Sequence, residues 1–193
     1  MLASILLLIL DAAVGFLTFM LLARFYMQWA RVSFRNQVGQ FVVTTTDWLV
    51  RPVRRLVPGL FGLDLASLLP AWVLQTLFVL IDLGLRGMPI NGGPGGVLLG
   101  LWGLGLLALL KLAIYLLIAV VLFSAILSWV NPHAPAAPLF FGLAAPFLQP
   151  IRRVLPPIAN VDLSPLLLLL LLQVLLTILA SLSGGLLGLV VGR

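Results

Sequence analysis

The chain has 193 residues, of which 63% are hydrophobic and only 8% are charged, whereas soluble domains are about half apolar and about a quarter charged. This composition argues against a soluble globular protein and indicates an integral membrane protein. The net charge of +6 is nearly all arginine beside hydrophobic runs, which favours contact with anionic lipid headgroups over nucleic-acid binding. Because there is no cysteine, disulfides and thiolate metal sites are excluded.

The first hydrophobic stretch runs from residue 2 to residue 29 and contains Asp11. No base precedes it and it is longer than the core of a signal peptide, so it predicts a first membrane span. Tyr26 and Trp29 mark its end at the membrane–water interface. The side chain of Arg24 is expected to extend towards the level of Trp29.

A connection of residues 30–64 follows and is too polar to span a membrane. It carries five bases: Arg31, Arg35, Arg51, Arg54 and Arg55. Within it we predict an amphipathic helix in the interface. Its predicted apolar face holds Phe41, Val42, Trp48 and Leu49, and its polar face Thr44, Thr45 and Asp47. Pro52 is expected to end this helix.

Three more apolar stretches complete the chain, at residues 65–85, 97–130 and 165 to about 182. The third is longer than the ~20 residues that a span needs, so residues 98–107 are either a tilted extension or a separate interfacial segment. A Pro-rich connection, residues 131–162, precedes the last span and is cut by Pro146, which leaves a shallow re-entrant dip as an alternative to an interfacial helix. The tail after Ser183 receives no assignment.

A short motif occurs twice, 98 positions apart, before a membrane-length apolar run each time. The first copy is residues 52–58 with Arg54, Arg55 and then Asp64; the second is residues 150–156 with Arg152, Arg153 and then Asp162. The motif predicts two repeats, residues 1–87 and 97–193, joined by a Gly/Pro linker at 88–96. The fold class is therefore all-α: four transmembrane helices as two hairpins. An even number of spans per repeat makes the repeats parallel.

Each half of the motif has two interpretations. The arginines are either membrane anchors, which we favour, or a binding surface for lipid or a partner. Asp64 and Asp162 either cap the next helix or pair with the nearby arginines, and both roles can hold together.

Seven bases lie in the two long connections and two, Arg86 and Arg193, elsewhere outside the spans. The positive-inside rule then predicts cytoplasmic connections and external termini in a bacterial plasma membrane.

Polar residues inside the spans also match between the repeats. Asp11 lies 18 residues before Trp29, and Lys111 lies 18 residues before Trp129. A charge in hydrocarbon is costly, so the two either meet near the pseudo-two-fold axis or are hydrated separately at the outer interface. Gln75 and Gln173 also correspond, and we predict that they make a helix–helix contact.

Signals for catalysis are missing from the sequence. His133 is the single histidine, there is no glutamate, and neither a phosphate-binding loop nor an H-E-x-x-H motif occurs. We therefore predict a protein that is not an enzyme and that uses no cofactor or metal.

With these residues laid out, the chain resembles the YggT family of small bacterial membrane proteins, which has relatives in chloroplasts. In the first half the resemblance is carried by Arg24-Phe25, Trp29, Phe34-Arg35-Asn36, Thr46-Asp47 and residues 52–58 with Asp64. In the second half it is carried by residues 129–132, Ala145-Pro146 and residues 150–156 with Asp162. Two steps depart from the family pattern, since Gln37 and Trp48 stand where prolines are expected.

The resemblance implies a role in osmotic-stress tolerance or cell division, and in plastids in membrane-complex maturation and nucleoid distribution, without defined catalytic residues. We therefore expect a scaffold or assembly factor that binds anionic lipids and membrane-protein or cell-division partners, with homo-oligomers as an option. The rival hypothesis is a small ion or solute transporter that uses Asp11 and Lys111.

Overall fold

The computed structural model describes residues 2–57, 64–154 and 162–192. This part of the chain is all-helical and contains no strand. Its six helices are α1 (Leu2–Trp29), α2 (Gln37–Leu56), α3 (Leu65–Leu85), α4 (Pro94–Val130), α5 (Ala137–Val154) and α6 (Ser164–Val191).

Four of these helices, α1, α3, α4 and α6, are long and apolar enough to cross a membrane. The predicted all-α fold with four spans is thereby confirmed. The 21 residues of α3 rise about 32 Å, close to the ~30 Å hydrocarbon core of a bilayer. The 37 residues of α4 rise about 55 Å, so this helix is much longer than a span requires.

The part of α4 that exceeds a membrane span packs against the last part of α6. The tail after Ser183 therefore lies along α4. α6 continues unbroken to Val191, and the Gly92 amide N–H donates to the Val190 carbonyl across 3.1 Å. Glycine allows this approach: a Cβ on Gly100 would lie 3.1 Å from the Leu186 carbonyl oxygen. Residues 98–107 are thus a continuous extension of α4, which already begins within the predicted linker.

The helices pack in the same pairs within each half. In the first half α1 contacts α2 and α3, and α2 contacts α3; in the second half α4 contacts α5 and α6, and α5 contacts α6. The halves meet through α3 against α4 and α1 against α4. The Tyr26 hydroxyl of α1 also donates to the Leu143 carbonyl of α5. The two connecting helices α2 and α5 are therefore packed into the bundle.

The expected proline breaks are wrong. α2 continues through Pro52 to Leu56, and α5 contains both Pro146 and Pro150. Proline inside a helix costs ~3 kcal/mol through a lost hydrogen bond and a steric clash. The packing around each proline offsets this cost, since Val50 and Leu148 are almost fully buried. Pro58, the last residue of the first motif copy, lies outside the described residues.

The helix predicted in the first connection is present as α2, and the residues of its predicted apolar face divide between the bundle and the protein surface. Its buried residues are Gly39, Val42, Thr46 and Val50, whereas Phe41 and Trp48 are 54% and 65% exposed. Gly39 lies against the turn that precedes α2: a Cβ on Gly39 would lie 2.7 Å from Phe34 Cα. The large aromatic residues Phe41 and Trp48 project away from the protein.

Candidate functional site

A buried arginine lies at the centre of the first repeat's charged cluster. Arg24 is only 6% exposed, and its Nη1 donates to Thr46 Oγ1 at 2.9 Å and to Asp47 Oδ1 at 2.8 Å. The Arg24 side chain therefore ends on acceptor groups of α2. The carboxylate and hydroxyl of α2 lie over the end of α1 and hold the guanidinium inside the bundle.

Asp64 extends this cluster to the start of α3. Its carboxylate is 2% exposed and accepts hydrogen bonds of 2.7 Å from both Arg54 Nη2 and Ser67 Oγ. Arg24 Nε lies 3.9 Å from the same carboxylate. Asp64 occupies the N-cap position of α3, but its side chain makes no capping hydrogen bond to the helix backbone. The ion-pair interpretation therefore applies to Asp64.

A third guanidinium completes the cluster from the outside. Arg51 Nη2 lies 2.7 Å from Asp47 Oδ2, and the Arg51 side chain is 78% exposed. Desolvation raises the pKa of Asp47, but hydrogen bonds and charges from Arg24 and Arg51 outweigh it and hold the pKa below its usual value. Three guanidiniums face two carboxylates, so the cluster carries a net positive charge and ties together α1, α2 and α3.

The second repeat reproduces only the outer ion pair of this cluster. Arg152 Nη2 lies 2.7 Å from Asp162 Oδ2, as Arg54 Nη2 does from Asp64 Oδ2 in the first repeat. Asp162 precedes the N-cap residue Leu163 and also accepts the backbone N–H of Ser164, the first residue of α6, at 2.9 Å, so here a backbone hydrogen bond at the helix start and ion pairing coexist. Partial desolvation raises the pKa of Asp162, but hydrogen bonds from Ser164 and Arg152 hold it below its usual value.

The inner part of the cluster is replaced by neutral residues. Ser124 stands at the position of Arg24, 100 residues on, and Ala145 stands at that of Asp47, 98 residues on. Both the arginine and the aspartate are replaced in the second repeat. Neither repeat therefore keeps an inner charge without its partner. This joint replacement is the sequence signal that would have identified Arg24 and Asp47 as a pair.

The other predicted surface arginines remain outside the cluster. Arg35, Arg55 and Arg153 are exposed, and none of them forms an ion pair with another described residue. Arg54 and Arg152 have about half of their side chains exposed despite their carboxylate partners. Each repeat therefore presents one tethered and one untethered arginine in adjacent positions.

Asp11 and Lys111 lie on opposite sides of the Asp82–Arg86 ion pair. Both are exposed, and the described coordinates show no ion pair between them. Asp11 lines a cavity of about 590 Å³ and Lys111 one of about 650 Å³; Asp82 and Arg86 line both. Arg86 Nε lies 2.7 Å from Asp82 Oδ1. The Lys111 ammonium lies 5.8 Å from the centre of the Tyr115 ring, within cation–π range.

The two corresponding glutamines have different surroundings. Gln75 is buried, and its Nε2 donates to Thr18 Oγ1 on α1 at 3.1 Å. Gln173 is exposed on α6, and only its backbone carbonyl takes part in a side-chain hydrogen bond, from Thr177. The predicted helix–helix contact is thus seen for Gln75 and not for Gln173.

The described residues contain no group of three or more His, Asp or Glu side chains that could hold a metal ion. His133 is exposed in the turn before α5. The chemistry that the charged clusters offer is therefore electrostatic: guanidinium groups held by carboxylates can bind anions and fix helix ends.

Comparison with known proteins matches the family model CCB3/YggT over residues 3–85 and 104–183, consistent with two repeats. The chain is 38% identical to the uncharacterised protein YggT of Escherichia coli (strain K12) over 168 residues, covering 86% of this chain and 84% of that protein. It is 39% identical over 152 residues to an uncharacterised protein of Vibrio alginolyticus, covering 78% and 80% respectively. No solved structure matches. The predicted resemblance is confirmed.

Proposed function

Because the chain belongs to the CCB3/YggT family, we propose that it is a non-enzymatic scaffold or assembly factor of the bacterial plasma membrane. Its arginine-rich face would hold anionic headgroups or an acidic membrane partner. The observation that carries this proposal is the recurrence of one arrangement: Arg54–Asp64 and Arg152–Asp162, both 2.7 Å apart.

The repeated ion pair supports a binding surface because it orders its arginine before any ligand arrives. An arginine that is already held loses less side-chain entropy on binding. Arg54 and Arg152 remain about half exposed, which leaves guanidinium N–H groups for an external anion. Arg55 and Arg153 add untethered positive charge directly beside them.

The proposed orientation places this face in the cytoplasm, with both termini and the Gly/Pro linker outside. It is supported by the seven bases of the long connections against the two elsewhere outside the spans. The biological setting we propose is the one that the YggT resemblance implies, osmotic-stress tolerance or cell division, with membrane or division proteins as partners.

Crosslinking in native membranes, followed by partner identification, tests the proposal. The variant replaces Arg54, Arg55, Arg152 and Arg153 by Gln, and a matched variant replaces the same four by Lys. We expect the Gln variant to lose partner recovery and the Lys variant to keep part of it, since lysine retains charge without the planar fork of arginine. Arg86→Gln, away from this face, is the control. Recovery of lipid and self-copies alone, from the unmodified protein, would contradict the proposal.

A transport function is the second candidate, and the two cavities on either side of the Asp82–Arg86 pair favour it. They place Asp11 and Lys111 among apolar side chains while leaving both accessible. Ion and solute flux into liposomes holding the purified protein distinguishes the two functions. A transporter requires flux that Asp11→Asn abolishes. A scaffold gives no flux with the unmodified protein or with the Asp11→Asn variant.

A further inference from the structure

The second repeat has a cavity where the first repeat has a buried arginine. The cavity measures about 310 Å³ and lies among α4, α5 and α6. Three of its lining residues, Ser124, Arg152 and Asp162, correspond to Arg24, Arg54 and Asp64 of the first repeat. In the first repeat the Arg24 side chain fills the equivalent position and is enclosed by α2 and α3. The replacement of arginine by serine therefore removes side-chain volume at this position and contributes to the space.

The lining of this cavity is mostly apolar, with charge at one edge. Leu122, Leu148 and Leu169 contribute to its walls, while Arg152 and Asp162 form its charged edge. Its volume reaches the ~300 Å³ at which small-molecule sites begin, and apolar cavities of ~150 Å³ already hold a benzene ring. A flexible hydrocarbon chain fits such a space better than a polar ligand does.

A cationic ligand in the place of Arg24 would lack an acceptor. The counterpart of Asp47 is Ala145, and Asp162 already accepts from Arg152 and from the Ser164 N–H. The half-exposed Arg152 guanidinium instead favours an anionic group, and the adjacent Arg153 strengthens the positive potential. The ligand chemistry is therefore an apolar chain joined to an anion.

We propose that this cavity is a binding site for one anionic phospholipid, with an acyl chain against α4 and α6 and its phosphate on Arg152. The inference rests on the proposed arginine-rich face and names a ligand for its second-repeat half. Because lipid tails are as apolar as the cavity walls, selectivity comes from the phosphate and headgroup charge. The first repeat holds no equivalent lipid because Arg24 occupies that space, so the expected stoichiometry is one lipid per chain.

Native mass spectrometry of the full chain, released from micelles with phosphatidylglycerol or phosphatidylcholine, tests the site. We expect one retained phosphatidylglycerol per chain. Ser124→Phe, which fills the cavity, should abolish retention, whereas Ser181→Phe on the exposed face of α6 should leave it unchanged. Arg152→Gln should lower the preference for phosphatidylglycerol about fivefold, because it removes one base near an anionic headgroup. Arg86→Gln, which removes a base away from this face, should have no such effect.

Several outcomes would overturn the site: equal retention of both lipids, two retained lipids per chain, or unchanged retention in Ser124→Phe. Binding of inorganic phosphate that Ser124→Phe leaves intact would show an anion site without a chain-binding cavity. Ser124→Leu repeats the test if the larger side chain lowers helicity by circular dichroism. If lipid retention fails these tests while the four-arginine variant still loses its crosslinked partners, only the lipid site is refuted.

Discussion

Arg24 and Asp47 form a 2.8 Å ion pair that joins the end of the first membrane span to the first connecting helix. Burial makes such a pair sensitive to the loss of one partner, since the remaining charge stays desolvated. Arg24 also contacts Thr46 and lies near Asp64. One side chain thus links three helices and determines how α2 lies across the first repeat.

Replacing Arg24 should destabilise the protein far more than replacing the neighbouring Arg51. Arg24→Gln leaves the buried Asp64 and the partly buried Asp47 short of a partner, and we expect a loss of about 3 kcal/mol. Arg51→Gln removes an exposed pair within one helix, for which about 0.5 kcal/mol or less is expected. Equilibrium unfolding in a mild nonionic detergent measures both, and equal losses would show that the Arg24 cluster does not stabilise the fold.

The second repeat indicates how the Arg24 cluster can be removed without leaving a lone charge. The single variant Arg24→Ser should be strongly destabilised, and adding Asp47→Ala should recover part of the loss, since the double variant copies Ser124 and Ala145. A double-mutant cycle measures this coupling. Additive losses would mean that Arg24 and Asp47 act independently.

The pH dependence of stability should report on Asp47. The pKa of Asp47 is lower in the folded protein than its ordinary value of 3.8, so the unfolded chain takes up its proton first. The stabilisation is complete above pH 3.8 and declines as the pH falls below that value and through the folded pKa. Asp47→Asn should therefore flatten the acid limb of stability against pH, measured in a nonionic detergent. An unchanged acid limb would exclude this contribution.

The two copies of the outer ion pair should differ in strength. Asp64 is 2% exposed and Asp162 30% exposed, so loss of its arginine leaves Asp64 in the less solvated position. Arg54→Gln should cost about 1–3 kcal/mol and Arg152→Gln about 1 kcal/mol or less. Thermal unfolding followed by circular dichroism compares them, and a larger loss for Arg152→Gln would reverse the proposed order.

Gly105 should be intolerant of a side chain because α3 crosses α4 there. A Cβ at Gly105 would lie 2.8 Å from Thr76 Cα, which requires the two helices to separate. Gly105→Ala should lower stability by about 1–3 kcal/mol. Gly184→Ala is the matched control: a Cβ there meets no atom within 4 Å, and alanine favours the helix by about 1 kcal/mol. Equal melting temperatures for the two variants would contradict this packing.

Predictions from the sequence were accurate for features that depend on residues close together along the chain. Long apolar runs identified the four spans, because the backbone in lipid must satisfy its own hydrogen bonds as a helix. The duplicated motif located both outer ion pairs, since Arg54 and Asp64 are close along the chain. Which residues of α2 face the bundle was not predictable in this way: Val42 is buried and Phe41 exposed because of how α2 packs against α1 and α3.

The duplicated motif, the four spans and the net positive charge of the connections were therefore determined by the sequence alone. The tertiary structure decided that Arg24 turns into the protein, that α2 and α5 continue through their prolines, and that the Gly-rich tail of α6 packs along α4. These outcomes depend on contacts between residues distant in sequence, where burial and charge pairing outweigh local preference. The cavity beside Ser124 has the same origin, since it exists only where three helices enclose the space that an arginine occupies in the other repeat.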